Sequence, residues 1–262
     1  MDELTICFLG TGAADFDWPH FDPATMRGSC STLIGSRILI DCGPTTLSQL
    51  LRFGCDPALV TDLVFTHSHA DHFDEETLER LIAARGDAPP LTVHAVAQLL
   101  QRIASRRITP HPITKRDTFP VGDLSFTALP ANHTVEDLDE LCLHYLIETP
   151  QGNILYALDG AWYCSEARFL LRDKRVHLLI QDATMQHAGD RRFMEHADAE
   201  MVALLKRGLD ALGVTDTRTL VVLNHMARTL WPSFDESEAF ARRRGWCMAR
   251  DGLVLTLPTK KE

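Results

Sequence analysis

Two kinds of hydrophobic pattern alternate along the chain. Short apolar runs bounded by turn-forming residues predict β-strands near residues 4–9, 32–41, 62–66, 91–94, 124–129, 142–148, 153–158, 176–181, 218–223 and 252–257. Apolar positions with helical spacing predict helices near residues 45–54, 74–85, 95–106, 165–172, 196–212 and 233–243. Because strands and helices are interspersed, the pattern predicts a layered α/β domain without selecting its topology.

The composition is typical of one globular domain. A chain of 262 residues with 45% hydrophobic content can build one large core, and no Gly/Ser-rich linker interrupts residues 1–262. The seven cysteines are scattered and never spaced as Cys-x-x-Cys, which is typical of free thiols in a reducing compartment. The acidic N-terminal sequence leads directly into a strand, and no apolar run approaches about 18 residues. We therefore expect a cytoplasmic protein without a membrane partner.

The net charge limits the kinds of partner that the protein can bind. A formal charge of −10 and a pI near 5.6 argue against a nucleic-acid partner, whose binding requires many phosphates to be neutralised. Small charged substrates are compatible with this charge. Basic side chains cluster in two places, which we interpret as solvated helix faces: Arg102, Arg106, Arg107, Lys115 and Arg116, and then residues 242–244.

Residues 66–72 contain a dense group of side chains that can bind metal. The apolar run before them predicts a buried strand, so the group lies where the strand ends and the chain turns. In an extended segment His67 and His69 point the same way, while Asp71 and His72 can turn toward a second ion. Imidazole nitrogen and carboxylate oxygen suit Zn²⁺, Mn²⁺ or Fe, whereas the alternative is a polar turn with exposed histidines.

This run matches the His-x-His-x-Asp-His motif of the metallo-β-lactamase superfamily position for position, and the chain resembles that superfamily. Four further segments resemble its other motifs and follow in the right order: residues 38–43, 129–134, 156–160 and 221–225. The resemblance extends from Gly10 to His225. It implies a four-layer αββα sandwich with metal ions at the edge between the two sheets.

The resemblance also implies ligands for two divalent metal ions. The ligands are histidines and aspartates at strand ends: His67, His69 and His133 for the first ion, Asp71, His72 and His225 for the second, and Asp159 between them. Zinc is the first expectation, with manganese and iron as alternatives. Two such ions can share a hydroxide, because they lower the pKa of water from about 15.7 toward about 7. Asp41 is expected to support the segment of residues 66–72, called the histidine loop below, without binding metal. The alternative is an ordinary turn aspartate.

A histidine further along the chain points to one branch of the superfamily. Residues 182–184 and 195–198 resemble the phosphodiesterase branch, which includes ribonuclease Z and the cyclic phosphate phosphodiesterase of the carbon-phosphorus lyase pathway. The resemblance implies that His196 assists phosphoester cleavage, with Asp198 or a neighbouring carboxylate tuning it. Protonated His196 would stabilise the leaving oxygen. Because a helix N-terminus would lower the pKa of His196 and bind anions, the histidine could instead position the phosphate rather than donate a proton. The alternative is a helix-start histidine without function.

Two features of that branch are missing from the sequence. No cysteine cluster occurs in the first loop, so we expect no additional structural zinc of the carbon-phosphorus type. The long arm with which ribonuclease Z clamps transfer RNA would fall between His133 and Asp159. Residues 134–158 contain only an acidic loop and two strand-like runs, which leaves no room for an arm.

Substrate contacts outside the metal ligands are less clearly indicated. Arg27 and Arg228 could bind phosphate or carboxylate, although either could be a surface arginine. Three aromatic residues could line the pocket or serve only in packing: Trp18, Phe21 and Trp231. Three other histidines are interpreted as structural: His20, His144 and His187.

The leading hypothesis is therefore a dinuclear metal-dependent phosphodiesterase for a small phosphodiester, cyclic ones included. A lactonase or other carboxylic ester hydrolase would use the same metal ions and would not require His196. A ribonuclease Z-like nuclease would need an arm or a basic track. A non-catalytic binding module is the remaining alternative, and a homodimer is a further expectation because relatives are often dimers.

Overall fold

The computed structural model describes residues 3–103, 105, 107–185, 194–230 and 233–257. Arg106, His187 and Trp231 lie outside the described residues. The described strands form two mixed sheets of seven strands each. The first sheet contains β1 (Leu4–Gly10), β2 (Ser31–Ile34), β3 (Ile38–Ile40), β4 (Asp62–Val64), β5 (Leu91–Ala95), β6 (Ile108–Pro112) and β14 (Val254–Leu257). Its order is β14-β1-β2-β3-β4-β5-β6.

The second sheet is built from the middle and later part of the chain. It contains β7 (Thr118–Val121), β8 (Leu124–Pro130), β9 (Leu143–Glu148), β10 (Asn153–Ala157), β11 (Val176–Asp182), β12 (Leu220–Asn224) and β13 (Cys247–Met248). Its order is β13-β12-β11-β10-β9-β8-β7. The described helices are α1 (Thr46–Arg52), α2 (Glu75–Ala84), α3 (Ala97–Arg102), α4 (Ser165–Leu170), α5 (Ala199–Ala211) and α6 (Phe234–Arg242).

Alternation of side chains along each strand places the two sheets face to face between helical layers. In β11, Leu178 and Ile180 belong to the core between the sheets, whereas Leu179 belongs to a second core under the helices. Leu50 of α1 packs with residues of the first sheet, on which α1 lies against β1, and Val202 of α5 joins the core under the helices of the second sheet. Helices therefore cover the outer face of each sheet, and the four-layer αββα sandwich expected from the resemblance is confirmed.

The direction of the strands decides where the functional loops lie. Strands β3 to β6 run parallel in the first sheet, and strands β10 to β13 run parallel in the second. The carboxyl ends of parallel strands share one edge, which is where α/β proteins place binding loops. The loops after β3, β4, β10, β11 and β12 therefore share sheet edges, and these loops carry the motifs found in the sequence.

Most predicted elements are found with shifted ends, such as the helix predicted at 95–106, which spans Ala97–Arg102, and two differences concern the elements that carry the motifs. The single strand expected at residues 32–41 is an antiparallel hairpin of β2 and β3, because Gly35 turns the chain with a φ of +59°. The helix expected to begin at residue 196 begins at Ala199, after Asp198 caps it. Within the described residues, every helix is too short or too polar to span a lipid bilayer.

Candidate metal centre

The first group of ligand-type side chains brings together three histidines. His67 Nε2 and His133 Nε2 each lie 3.0 Å from His69 Nδ1. The loop after β4 supplies His67 and His69, and the segment after β8 supplies His133. Three imidazole nitrogens from both sheets therefore converge, all within 4.8 Å of one another.

The second group lies beside the first and combines two histidines with an aspartate. His225 Nε2 lies 3.1 Å from Asp71 Oδ2 and 3.2 Å from His72 Nε2. Asp71 and His72 belong to the same loop as the first group, whereas His225 follows β12 of the other sheet. The histidine loop thus supplies both groups, and one residue of the second sheet completes each of them.

Asp159 lies between the two groups and faces both. Its Oδ2 is 2.8 Å from His72 Nε2 and 3.1 Å from His225 Nε2, while its Oδ1 is 3.7 Å from His133 Nε2. Burial alone would raise the pKa of Asp159, but His225 and His72 hold it well below its usual value. The carboxylate is therefore ionised and placed where a ligand shared by two cations would lie.

The hydrogen bonds of the histidines show that these groups fit metal ions. His72 Nδ1 donates to Asp41 Oδ2 at 2.8 Å, and His225 Nδ1 donates to Thr184 Oγ1 at 2.7 Å. The two Nε2 atoms lie 3.2 Å apart, and Asp71 and Asp159 lie beside them. Burial alone would lower the pKa of His72, but Asp159, Asp71 and Asp41 raise it well above its usual value, so this position favours a positive charge. A divalent ion can take the place of that proton between the imidazole nitrogens and the carboxylates, so this donor set suits divalent ions.

Two further pKa shifts keep the donor atoms available to cations. Burial lowers the pKa of His133 to about 4, against the opposing effect of Asp159, so this imidazole is neutral at physiological pH. Burial alone would raise the pKa of Asp71, but His72 and His225 hold it well below its usual value. A neutral imidazole and an ionised carboxylate are the forms in which these side chains bind metal.

Asp41 holds the histidine loop through hydrogen bonds. Its carboxylate accepts hydrogen bonds from the Thr66 backbone N–H at 2.8 Å, from the Thr66 hydroxyl and from His72 Nδ1. Asp41 therefore fixes both the start of the loop and the orientation of one histidine ring. The Thr66 hydroxyl also accepts from His67 Nδ1 at 3.0 Å, which leaves His67 Nε2 directed at the first group.

His196 lies beside Asp159 and is paired with Asp182. Its Nδ1 donates to Asp182 Oδ2 at 3.0 Å and lies 3.8 Å from Asp159 Oδ1. The His196 side chain is 13% exposed, whereas the Asp159 side chain is 4% exposed. The histidine is therefore the more accessible of these two groups.

The electrostatics of His196 differ from the sequence expectation. Burial acts to lower its pKa, but Asp182, followed by Asp159 and Asp71, raises the pKa to about 9. The prediction that a helix N-terminus would lower this pKa is wrong, because His196 precedes the helix cap and is paired with a carboxylate. Asp198 is that cap: its side chain accepts from the Met201 N–H at 2.7 Å. The neighbouring carboxylate that tunes His196 is Asp182.

The two arginines expected to contact substrate lie in different environments. Arg27 is 5% exposed and donates from Nη1 to Thr11 Oγ1 at 2.7 Å and to the Ala249 carbonyl at 2.8 Å. Burial lowers the pKa of Arg27 to about 10, although nearby Asp251 opposes the shift. Arg27 thus joins interior loops, and its placement does not favour a substrate contact. Arg228 is exposed three residues after His225 and donates from Nε to the Asp15 carbonyl at 3.0 Å.

The other side chains singled out in the sequence have ordinary contacts. Trp18 stacks on Phe16 with ring centroids 6.4 Å apart, and its Nε1 donates to the Arg27 carbonyl at 3.3 Å. Phe21 is half-buried. His20 is exposed and lies 3.0 Å from Asp17 Oδ2.

The roles of several supporting residues are not identifiable from the sequence alone. Thr184 and Asp182 hold His225 and His196, and Thr66 holds His67, each through a side-chain hydrogen bond. These three residues lie within the segments 66–72 and 182–184 singled out in the sequence, but their hydrogen-bond partners are visible only in the fold. Glu140 lies in the acidic loop, yet it is buried and accepts from Ser68 Oγ at 2.7 Å.

A known protein family matches the part of the chain that contains these residues. The model of the beta-lactamase superfamily domain matches residues 36–226, a span that contains both groups of ligands and Asp159. The chain belongs to the beta-lactamase superfamily. The family resemblance seen in the sequence is thereby confirmed. The protein is a member of a family of metal-dependent hydrolases, and its histidine and aspartate clusters fit divalent metal binding.

Curated relatives of this superfamily member match only part of their own length. Ribonuclease Z of Gemmatimonas aurantiaca is 34% identical over 125 residues, which cover 45% of this chain and 35% of that protein. Ribonuclease BN of Cronobacter sakazakii is 27% identical over 164 residues, which cover 55% of this chain and 49% of that protein. The chain thus aligns with about half or less of these relatives.

Solved structures share the whole fold at low sequence identity. The metallo-beta-lactamase fold protein YhfI from Bacillus subtilis superposes with a TM-score of 0.74 at 18% identity, covering 97% of this chain and 100% of that one. A diphosphatase from the PhnP family gives a TM-score of 0.70 at 18% identity, with 97% of each chain covered. Human tRNase Z, short form, superposes with a TM-score of 0.66 at 18% identity, covering 97% of this chain and 99% of that one. These likenesses concern the fold alone.

Proposed function

We propose that this protein is a dinuclear metal-dependent phosphodiesterase that cleaves a small phosphodiester. The proposed ligands all lie in the two groups described above: His67, His69 and His133 for one ion, Asp71, His72 and His225 for the other, and Asp159 shared between them. Divalent ions bound there supply Lewis acidity and an activated water for hydrolysis. Zinc is the first candidate because histidine and carboxylate ligands suit it, and manganese and iron accept the same donors.

The placement of His196 is the observation that carries this proposal. Its Nδ1 is held by Asp182, so its Nε2 is the ring atom left to meet a substrate oxygen. Asp182 stabilises the protonated ring, which can bind an anionic phosphoryl oxygen or donate a proton to the leaving oxygen. A phosphodiester carries negative charge in its ground state and needs such a cation, whereas a lactone is neutral. His196 therefore favours phosphoester over lactone hydrolysis.

The surroundings of the centre favour a small substrate. Residues 134–158, between His133 and Asp159, form an acidic loop followed by β9 and β10. Basic side chains of the described surface are partly neutralised, since Lys115 and Arg116 both pair with Glu166, and Arg244 pairs with Glu200. A long polyanion would meet this acidic loop and these paired cations, whereas a compact diester needs only the centre itself.

The test compares two substrates and two histidine variants. Purified protein is assayed for metal content and for hydrolysis of bis-p-nitrophenyl phosphate and of a lactone. We expect two ions per chain and diesterase activity that falls by about a hundredfold or more in His196→Ala, with unchanged metal content. His20→Ala, which removes an exposed histidine paired with Asp17, is the matched control and should match the wild type. Lactone turnover that is indifferent to His196, without diesterase activity, would falsify the proposal in favour of a lactonase.

A nuclease is the second candidate because the curated relatives cited above are named ribonucleases. It predicts cleavage of a precursor transfer RNA at a rate that exceeds hydrolysis of the small diester. The acidic loop and the paired arginines argue against it. Measuring both reactions with the same preparation separates the two activities.

A further inference from the structure

The backbone of Asp159 is held in an unusual conformation by two side chains. Its φ of 55° lies in the left-handed region, which is unfavourable for a non-glycine residue and persists only where the surroundings enforce it. Asp159 follows the end of β10. Its N–H donates to Asp182 Oδ2 at 3.2 Å, and its carbonyl accepts from His144 Nε2 at 3.3 Å. The peptide units on both sides of this residue are therefore tied to side chains.

His144 is closely fitted to this position. It lies in β9, is 1% exposed, and its ring occupies the space above the next residue, Gly160. A Cβ at Gly160 would lie 2.6 Å from His144 Cε1 and 2.6 Å from Nε2. A side chain at residue 160 and the histidine ring are therefore mutually exclusive, so Gly160 is required as long as His144 is present.

The histidine is not the residue that stability alone would favour there. A carbonyl can only accept, so Nε2 carries the proton and Nδ1 is left as an acceptor. Nδ1 is buried and has no hydrogen-bond partner within the described residues. An unsatisfied buried polar atom lowers stability, and an apolar side chain of similar size would avoid this cost. The contacts of the ring with the backbone of Asp159 and Leu158 account for a histidine at this position.

We propose that His144 is a positioning residue for Asp159, and that it keeps the carboxylate directed between the two ligand groups by holding the Asp159 carbonyl. Without the Nε2 donor the peptide after Asp159 can rotate about ψ, and the residue can then leave the left-handed region by a coupled change of φ and ψ that moves its side chain. Oδ1 and Oδ2 would then no longer face His133 and His72 together. The inference rests on the proposed function, since it takes Asp159 to be the ligand shared by two ions.

The test measures Zn²⁺ affinity by competition with a chelator, together with the visible spectrum of the Co²⁺-substituted protein. We expect His144→Leu to bind Zn²⁺ about 10–100-fold more weakly and to change the Co²⁺ spectrum. The thermal midpoint of its metal-free form should be equal to or above that of the wild type. His144→Gln places an amide N–H near the position of Nε2 and should restore most of the affinity.

A matched control lies at the other end of β10. His177 covers Gly152 in the same way, with a Cβ at Gly152 reaching 2.8 Å from His177 Cγ, and its Nδ1 accepts from the Asn153 N–H at 3.1 Å. His177→Leu should therefore lower stability without changing Zn²⁺ affinity or the Co²⁺ spectrum. If His144 has a purely structural role, His144→Leu and His177→Leu should both lower stability and leave Zn²⁺ affinity and the Co²⁺ spectrum unchanged.

The steric relation between His144 and Gly160 gives an independent test. Gly160→Ala should weaken Zn²⁺ binding as His144→Leu does, because its Cβ must displace the ring. In the double variant Gly160→Ala, His144→Ala the clash is removed, so its affinity should be no lower than that of His144→Ala alone. Additive losses in affinity would contradict the positioning role.

The outcomes separate this inference from the proposed function. If His144→Leu binds two Zn²⁺ with wild-type affinity while Asp159→Ala does not, the positioning role is overturned and the metal assignment stands. If Asp159→Ala binds Zn²⁺ as the wild type does, the shared-ligand role fails and the inference fails with it. Should His144→Leu not fold, His144→Gln and His144→Asn carry the test, because only the longer amide reaches the Asp159 carbonyl. Equal affinities of these two variants would then overturn the inference.

Discussion

Three residues of the candidate centre share a backbone conformation that side chains rarely adopt. Asp41, Asp159 and His225 have φ values of 62°, 55° and 64°, and each directly follows a strand or lies within two residues of its end. A left-handed turn at a strand end lets the side chain leave the sheet and face the neighbouring loops. Such strain is kept where the surrounding hydrogen bonds enforce it, which in this protein is around the proposed ligands.

Replacing Asp41 by asparagine tests how much the supporting bonds contribute to metal binding. Asparagine tolerates the left-handed backbone, so the substitution mainly removes the negative charge beside His72 Nδ1 and Thr66. We expect Asp41→Asn to lower metal affinity by about 10–100-fold, as measured by chelator competition. Asp173→Asn is the control, since Asp173 is exposed and also left-handed with a φ of 63°. Equal affinities of the two variants would show that Asp41 has no supporting role.

The ligands could be predicted from sequence because they lie in contiguous motifs, but their partners could not. Asp41 and Thr66 are 25 positions apart, and Ser68 and Glu140 are 72 apart, so these contacts exist only in the folded chain. Glu140 is the clearest example. The acidic residues before it, Glu136, Asp137 and Asp139, are exposed, whereas its own carboxylate is buried and accepts from Ser68 of the histidine loop. Spacing along the chain contains no information on which of several acidic residues turns inward.

At the scale of elements, the strands that the sequence did not predict all lie at the edges of the two sheets. β6 and β7 lie at sheet edges, as does β13, which has only two residues. Pro110 and Pro112 in β6 and Pro120 in β7 lower the strand propensity of these runs, and edge strands are where proline is tolerated. The central strands were predicted because both of their faces are buried, which makes their sequences continuously apolar.

The start of α5 allows the roles of Asp182 and Asp198 to be separated. Asp198 caps the helix, so Asp198→Ala should lower the free energy of unfolding by about 1 kcal/mol, and Asp198→Ser should restore most of it. Asp182 pairs with His196, so Asp182→Asn should reduce diesterase turnover much more than Asp198→Ala does. Chemical denaturation and turnover measured on the same preparations check this. A larger loss of turnover in Asp198→Ala would mean that the cap, and not Asp182, controls His196.

At the scale of the whole molecule, the candidate centre joins the two sheets. Loops of the first sheet supply His67, His69, Asp71 and His72, and loops of the second sheet supply His133, Asp159 and His225. Any ion bound by either group therefore contacts residues of both sheets. Metal binding should add directly to the stability of the packed sandwich, because the unfolded chain does not preserve this arrangement.

Metal removal should consequently lower the thermal stability of the protein. A ligand present at about a thousand times its Kd contributes about 4 kcal/mol, and each kcal/mol shifts the Tm of a chain of this size by about 2–4 °C. We expect a chelator to lower the Tm by about ten degrees and added Zn²⁺ to restore it. Differential scanning calorimetry measures both effects. The His69→Ala variant is the control, and a chelator effect of equal size in that variant would show that the stabilising ion binds elsewhere.

The pairing of β1 with β14 has a consequence for the timing of activity. β1 begins the described chain, and its partner on the outer side is the last described strand, which follows every proposed ligand. A chain still emerging from the ribosome therefore exposes the histidine loop long before His225 and the final strand exist. We expect hydrolysis to be absent from such nascent chains and to begin only after His225 and β14 have been synthesised. Activity would then depend on completion of the fold.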